Sequence, residues 1–262
     1  KTDGKYKHES IISDTHEVHY LKYKDNLRDK LLTKHGYNSH KIFRRILTAL
    51  ELLLRNFCDF FISYSNIYKF AKNYLKNNPD CQIVIASGTP YQLFKFAYRL
   101  KRKFPNIQWI ADYRDEWTTS VYENLKNLFF NTVFKIDSYF EKKWVSSAKA
   151  ITSVSQGWTD NISKFTQRPG YLVMNGFDED DYKYENIKLY DEFTIVYNGT
   201  LYPSQPINVF LDAVKKIIDK YKNIIKIKII FPGIIDNLYE AREIVASQIS
   251  ESMNKYEENY QL

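Results

Sequence analysis

One stretch of the chain, residues 83–117, constrains the fold more than any other. It contains a short apolar run, the loop Ser87-Gly88-Thr89-Pro90, an amphipathic segment of helical period and a second apolar run. Short apolar runs are typical of buried parallel strands, and a strand–helix–strand unit of this length is almost always right-handed and parallel. The stretch therefore predicts an α/β fold with a Rossmann-like parallel sheet.

Polar residues collect where each of the two apolar runs ends. Ser87, Gly88 and Thr89 follow the first run, and Asp112-Tyr113-Arg114-Asp115-Glu116-Trp117 follows the second. The carboxyl ends of the strands form the edge at which open parallel sheets bind ligands. We therefore expect the functional site at this edge.

Each of the two loops has a functional and a structural interpretation. Gly88 permits close approach of a ligand to the backbone, but a capped tight turn needs the same residue types. Arg114 can bind a phosphate or a carboxylate, while Asp112 or Asp115 can accept a proton or hold a sugar hydroxyl. Trp117 offers a flat apolar face. The alternative is a local Arg–Asp pair that holds the loop, and the position at a strand end favours the functional interpretation.

The alternation of strands and helices continues and predicts two domains. The first covers residues 1–178 and the second covers 193–262, with a polar crossing at 179–192. The predicted strands are 82–86, 107–111, 149–154, 171–174, 193–197 and 224–231. The predicted helices are 91–104, 124–146, 155–165 with Ser155 as its cap, 207–221 and one from 236 onward.

A second small-residue loop opens the second domain. Asn198-Gly199-Thr200-Leu201-Tyr202 follows the first predicted strand there and leads toward a helix, an arrangement suited to a phosphate. With two predicted strands, this domain is too small to bury a sheet on both faces. We therefore expect the sequence to be a piece of a longer protein.

The first eighty residues lack the alternation. Residues 1–40 are polar and are expected to be irregular, whereas 41–77 form one or two helices. The helical segment carries seven basic and two acidic side chains, and its apolar residues recur at helical spacing: Ile42, Ile46, Leu50, Leu53, Phe57, Phe60 and Phe61. A basic amphipathic helix can lie on an anionic membrane. We favour the default for this pattern, a helix whose apolar side packs on the core.

Charge and cysteine usage limit the classes of partner. The net charge of +7 favours anionic ligands. Lys and Tyr are abundant, as in proteins that bind single-stranded nucleic acid, but they are spread along the chain and indicate a solvated basic surface. Cys58 and Cys81 are expected to be buried free thiols in a reducing compartment. His16 and His19 lack the spacing of a metal-binding helix, so no metal is expected.

Five short motifs occur along the chain in a fixed order. They are an apolar strand ending in Ser-x-x-Pro, then Asp-x-Arg-Asp-x-Trp, a strand leading to Val-Ser, Asn-Gly-Phe-Asp, and Gly-Thr-Leu. The stretches that carry them are 83–90, 109–117, 150–155, 173–178 and 195–201. This order resembles the bacterial family 4-like glycosyltransferases of the GT-B fold. Many relatives place a His-Asp pair where this chain has Arg114-Asp115.

The resemblance implies two Rossmann-like domains that face a cleft. The C-terminal domain would bind a nucleotide-sugar and the N-terminal domain a glycan or lipid-linked acceptor. Transfer would retain the anomeric configuration and need no metal or other cofactor. The implied residues are catalytic Asp112, Arg114 and Asp115; donor-binding Gly199, Thr200, Tyr202 and Asn175; and acceptor or cleft residues Ser87, Gly88, Thr89, Trp117 and Ser155.

The resemblance also implies a cellular setting. Such an enzyme would build a surface polysaccharide in the cytoplasm, without nucleic acid as a partner. A peripheral contact of residues 41–76 with the inner face of the membrane stays open as the alternative to packing on the core. The family's first strand and glycine-rich loop would precede residue 1, and most of its donor domain would follow residue 262. Gln205-Pro206 stands where the family commonly has Lys-Gly. A non-catalytic nucleotide- or phosphosugar-binding module, and a basic nucleic-acid-binding protein, remain as alternatives.

Overall fold

The chain forms two compact units, Lys1–Phe177 and Asp178–Leu262, here called unit 1 and unit 2. A computed structural model describes the residues 9–22, 25–36, 39–120, 127–181, 190–199, 201, 205–221, 227–232, 239–253 and 260–261. Within these ranges, no helix combines the length and the hydropathy needed to cross a bilayer.

Unit 1 begins with a β-hairpin and a short helix. Strands β1 (Glu9–Ile12) and β2 (Glu17–Tyr20) pair antiparallel, and helix α1 spans Leu27–His35. The expectation of an irregular segment at 1–40 is therefore wrong for these elements. Helix α1 has little apolar periodicity to reveal it; its start is fixed by Asn26, whose side chain accepts a hydrogen bond from the backbone of Asp29.

Two helices follow, as the period of the sequence predicts. Helix α2 spans Lys41–Leu54, a 3-10 turn spans Asp59–Phe61, and helix α3 spans Asn66–Asn77. The expected packing of the apolar side of α2 on the core is wrong, because no residue of this helix is buried. Five of the predicted core residues are exposed: Ile42, Ile46, Leu50, Phe57 and Phe60.

One cysteine lies within this helical segment and the other just after it. Both are free thiols, as expected, but neither is buried: Cys58 is exposed and Cys81 is partly exposed. Cys58 lies in the connection after α2, and Cys81 precedes the first strand of the sheet. Their predicted burial is wrong because both lie in connections rather than inside regular elements.

The rest of unit 1 is a parallel sheet with helices between its strands. Its elements are β3 (Ile83–Gly88), α4 (Gln92–Lys103), β4 (Gln108–Tyr113), α5 (Leu128–Val145), β5 (Ala150–Ser153), α6 (Gln156–Thr166) and β6 (Gly170–Leu172). The strands lie in the order β3-β4-β5-β6, and all neighbouring pairs are parallel. The sheet is Rossmann-like, as the sequence predicts.

The core of unit 1 lies on one face of this sheet. Because the strand order runs in one direction, right-handed connections bring α4, α5 and α6 to the same face. Residues of that face are buried against the helices, among them Trp109, Tyr113 and Ile151. Ile83 and Ile85 alternate with them on the other face and are exposed. Ser87 shares this second face.

Unit 2 contains a second, smaller parallel sheet. A 3-10 turn at Glu179–Asp181 precedes its elements, which are β7 (Phe193–Val196), α7 (Ile207–Tyr221), β8 (Ile227–Ile230), α8 (Tyr239–Met253) and β9 (Tyr260–Gln261). The strand order is β7-β8-β9, all parallel. The expectation of two strands is therefore wrong by one, since β9 is only two residues long and has no apolar run to reveal it. Leu211, Ile229 and Ile249 form the centre of its core.

Candidate functional site

Three side chains from neighbouring strands meet at the carboxyl edge of the sheet in unit 1. Ser87, Asp112 and Thr152 are register partners across β3, β4 and β5, and we call them the polar row. The Ser87 hydroxyl donates to Asp112 Oδ2 over 2.6 Å, and the Thr152 hydroxyl donates to Oδ1 over 2.7 Å. Both carboxylate oxygens of Asp112 are held, and its side chain is 13 % exposed. Asp112 is thus fixed in place by its neighbours.

Arg114 extends the polar row toward the residues that follow β6. Its Nε lies 3.2 Å from Asp112 Oδ2, and its Nη1 donates to Asn175 Oδ1 over 2.8 Å. Its backbone N–H donates to the carbonyl oxygen of Gly88. The guanidinium is half exposed, and Nη2 has no partner among the described residues. An arginine held in this way presents free donors to an anion.

The Arg–Asp pair of the structural interpretation is therefore present, and it leaves Arg114 accessible. Asp115 differs from Asp112, because its side chain is exposed and its carboxylate has no partner in the described part of the chain. Of the predicted residues, the structure brings Ser87, Asp112, Arg114 and Asn175 together. Asp115 follows Arg114 directly in the chain, so the sheet edge presents one guanidinium cation and one available carboxylate.

The loop after β4 is anchored by aromatic stacking. The Tyr91 hydroxyl donates to the carbonyl oxygens of Asp115 and Glu116, each over 3.0 Å. The Tyr91 ring stacks on Trp117, with centroids 4.8 Å apart and planes 4° apart. Trp117 is 3 % exposed and also stacks on Trp144, so the expectation that it offers an apolar face to a ligand is wrong. Its indole fills the core and positions the loop.

A buried carboxyl group holds the same loop from inside. Glu141 of α5 is fully buried and accepts hydrogen bonds from the Tyr113 hydroxyl (3.0 Å), the Thr118 backbone N–H (3.1 Å) and the Thr118 hydroxyl (2.5 Å). Burial raises the pKa of Glu141 from 4.5 to about 7, although the hydrogen bonds from Thr118 and Tyr113 act in the opposite direction. Burial, and then the charge of Glu141, holds the pKa of Tyr113 well above its usual range. The loop is therefore fixed at both of its ends.

The remaining cleft residues of unit 1 have local roles. Gly88 is buried, and a Cβ there would lie 2.7 Å from Tyr91 Cδ1, so a side chain has no room. The peptide bonds on both sides of Thr89 are cis, and Thr89 is exposed. Ser155 is the N-cap of α6, as predicted, and its hydroxyl accepts a bond from the backbone of Trp158. Ser155 therefore caps a helix, and no described contact joins it to the polar row.

The predicted donor residues fall in different places. Gly199 lies after β7 in unit 2, and a Cβ there would lie 3.1 Å from the ring of Tyr197. Thr200 and Tyr202 lie outside the described residues. Asn175, the fourth predicted donor-binding residue, contacts Arg114 within unit 1.

Three residues of this site were missed in the sequence. Thr152 alternates with Ile151 in β5, and this alternation is the signal that could have placed it beside Asp112. Tyr91 and Glu141 act from helical segments, and no local pattern separates them from ordinary core or surface positions. Their roles depend on contacts across the fold.

The arrangement can bind an anion and can accept a proton, and it contains no metal centre in the described residues. No group of three His, Cys, Asp or Glu side chains there could hold a metal ion. A cavity of about 250 Å³ lies elsewhere, beside α1 and α2, and is lined by Arg28, Leu47, Glu51 and Phe60 among others. It involves none of the predicted site residues.

The chain matches no protein-family model and no curated protein sequence. The resemblance to glycosyltransferases therefore depends on the five motifs alone, and function is inferred from the chemistry of the site.

Proposed function

We propose that this protein is a glycosyltransferase whose unit 1 binds the acceptor at the carboxyl edge of its sheet. The observation that carries the proposal is Arg114, half exposed and held between Asp112 and Asn175 at this edge. Edges of this type are where open parallel sheets bind ligands. The order of the five motifs supports a GT-B arrangement of two Rossmann-like domains, with a nucleotide-sugar held by the loop that contains Gly199.

The side chains at the edge have separate roles in this proposal. Arg114 binds the phosphate or carboxylate group of a glycan or lipid-linked acceptor. Asp112 accepts three contacts and is a positioning residue for Arg114. Asp115 has an available carboxylate and accepts the proton of the attacking hydroxyl. The acceptor oxygen bonds to the anomeric carbon on the face from which the diphosphate departs, the bond from that carbon to the diphosphate breaks, and nucleoside diphosphate leaves with the configuration retained.

The experiment is nucleoside diphosphate release from a panel of nucleotide-sugars, supplied with glycan and lipid-linked acceptors. Asp115→Asn should lower turnover by about 100-fold or more, the usual contribution of general acid–base catalysis. Arg114→Ala should raise the acceptor KM by about tenfold or more, the value of one charge-assisted hydrogen bond. The matched controls are Asp160→Asn and Arg102→Ala, which remove the same charges from exposed sites on α6 and α4. Wild-type kinetics in both site variants would contradict the proposal.

A second candidate is a non-catalytic module that binds a nucleotide or a phosphosugar. It is favoured by Asp112, whose two oxygens are both occupied and which is therefore not available as a base. The two candidates differ in the effect of Asp115→Asn. A binding module would show a thermal shift with the ligand, no release of nucleoside diphosphate, and unchanged affinity in this variant.

A further inference from the structure

Helix α2 presents an apolar row to solvent instead of to the protein core. Ile42, Ile46, Leu50 and Leu54 are spaced four residues apart along the helix and so lie on one side of it. These four side chains, here called the α2 surface, are between 38 and 76 % exposed. Exposed apolar side chains that cluster on one face mark a site of contact with another apolar phase.

Ion pairs on the other side of α2 account for its orientation. Glu51 Oε2 lies 3.0 Å from Arg28 Nη1, and Asn26 also donates to this carboxylate. At the end of the helix, Arg55 Nη2 lies 2.7 Å from Asp137 Oδ2 of α5. The helix is thus attached to unit 1 through its charged side. The outward direction of the α2 surface is therefore a property of the fold.

The charge around the α2 surface favours an anionic partner. Lys41 and Arg45 are exposed, and neither pairs with an acidic side chain in the part of the chain that the structure describes. The one acidic residue of α2, Glu51, pairs with Arg28 on the other side of the helix, and Arg28 also pairs with Asp29 of α1. An interfacial helix buries its apolar face at the boundary of headgroups and acyl chains while its basic residues contact anionic headgroups.

The size of the α2 surface disfavours a second protein molecule as its occupant. A helix of 14 residues is about 21 Å long and about 10 Å wide, and so offers roughly 200 Å². A stable protein interface buries about 800 Å² on each partner. A membrane needs no matching shape and no minimum area, since each apolar side chain partitions into it independently.

We propose that the α2 surface binds an anionic membrane, with α2 parallel to the bilayer plane and its apolar row inserted at the level of the headgroups. Lys41 and Arg45 contact the anionic lipids. Membrane binding follows from the geometry of α2 and does not require glycosyl transfer, so either proposal can fail without the other.

The test is co-sedimentation of the full chain with phosphatidylcholine vesicles, with and without phosphatidylglycerol. The wild type should bind the anionic vesicles, and added salt should weaken the binding because exposed charges are screened. Ile46→Asp should lower the partition coefficient by about tenfold or more, the value of one buried aliphatic side chain. Arg45→Glu should lower it as well.

The matched controls change the same residue types elsewhere. Val209→Asp places a carboxylate at an apolar position of α7 that is 70 % exposed, and Lys103→Glu reverses an exposed charge at the end of α4. Both controls should bind vesicles like the wild type, and all variants should keep the wild-type far-UV circular dichroism spectrum. Absence of vesicle binding by the wild type overturns the proposal, as does equal loss in Ile46→Asp and Val209→Asp. A wild-type dimer that Ile46→Asp converts to a monomer also overturns it, because the α2 surface would then join two copies.

Discussion

Replacing Glu141 by Gln should remove a pH dependence from the stability of unit 1. The pKa of this carboxyl group is about 7 in the folded protein and 4.5 as its ordinary value. Between these values the folded state holds a proton that the unfolded state has released. The stability that protonated Glu141 contributes is therefore fully present below about pH 4.5 and is lost as the pH rises through about 7.

The magnitude follows from the same two pKa values. Each pH unit of difference corresponds to about 1.4 kcal/mol, so ionisation of Glu141 costs about 3 kcal/mol at pH 8. Gln is neutral at every pH, and its amide can occupy the same place between Tyr113 and Thr118. We expect wild type and Glu141→Gln to differ little at pH 5, and the variant to be more stable by up to about 3 kcal/mol at pH 8.

Urea unfolding followed by tryptophan emission measures this difference in unit 1 alone. All four tryptophans lie in that unit: Trp109, Trp117, Trp144 and Trp158. Other titrating groups cancel when the variant is subtracted from the wild type at each pH. Asp160→Asn, which changes an exposed carboxylate of α6, should show no such dependence. A wild-type-minus-variant difference that is the same at pH 5 and pH 8 would refute the reasoning.

Two substitutions test the packing and hydrogen bonding of the sheet edge. Gly88→Ala puts a methyl group 2.7 Å from Tyr91 Cδ1. It should destabilise unit 1 by about 1–3 kcal/mol in the same urea assay. An unchanged unfolding midpoint would show that Tyr91 moves freely. Thr152→Val keeps the shape of the side chain but removes the donor to Asp112 Oδ1, and should lower the free energy of unfolding by about 1–3 kcal/mol. The control Thr132→Val, on the exposed side of α5, should lower it less. Equal effects would contradict a special role for Thr152.

The sheet edge could be predicted from the sequence because two local signals agree there. Apolar runs located β3 and β4, and the polar residues after each run had to lie side by side once the strands were parallel. Ser87 and Asp112 are register partners for this reason. Asn175 lies at the same edge because it follows β6, which is two strands away from β4 in the sheet. The spacing of helix α7 was equally clear, and its predicted bounds of 207–221 are confirmed.

The orientation of α2 could not be predicted, because periodicity shows which residues share a face and not what that face meets. The helix is held by pairs such as Arg55 with Asp137, which are 82 residues apart in the chain. No local pattern reveals a pair at that distance. Trp117 was misplaced for a related reason: its position after a strand end indicated exposure, but Tyr91 and Trp144 stack on it from other elements.

The hydrogen bond between Arg114 and Asn175 has a mechanical consequence. Asn175 lies two residues before the end of unit 1, so this bond ties the outgoing chain to the anion-binding side chain. Nη2 of Arg114 has no partner among the described residues, so an oxyanion can bind there while Nη1 keeps its hydrogen bond to Asn175. The same guanidinium can therefore hold the last residues of unit 1 in place and receive an anion at the same time.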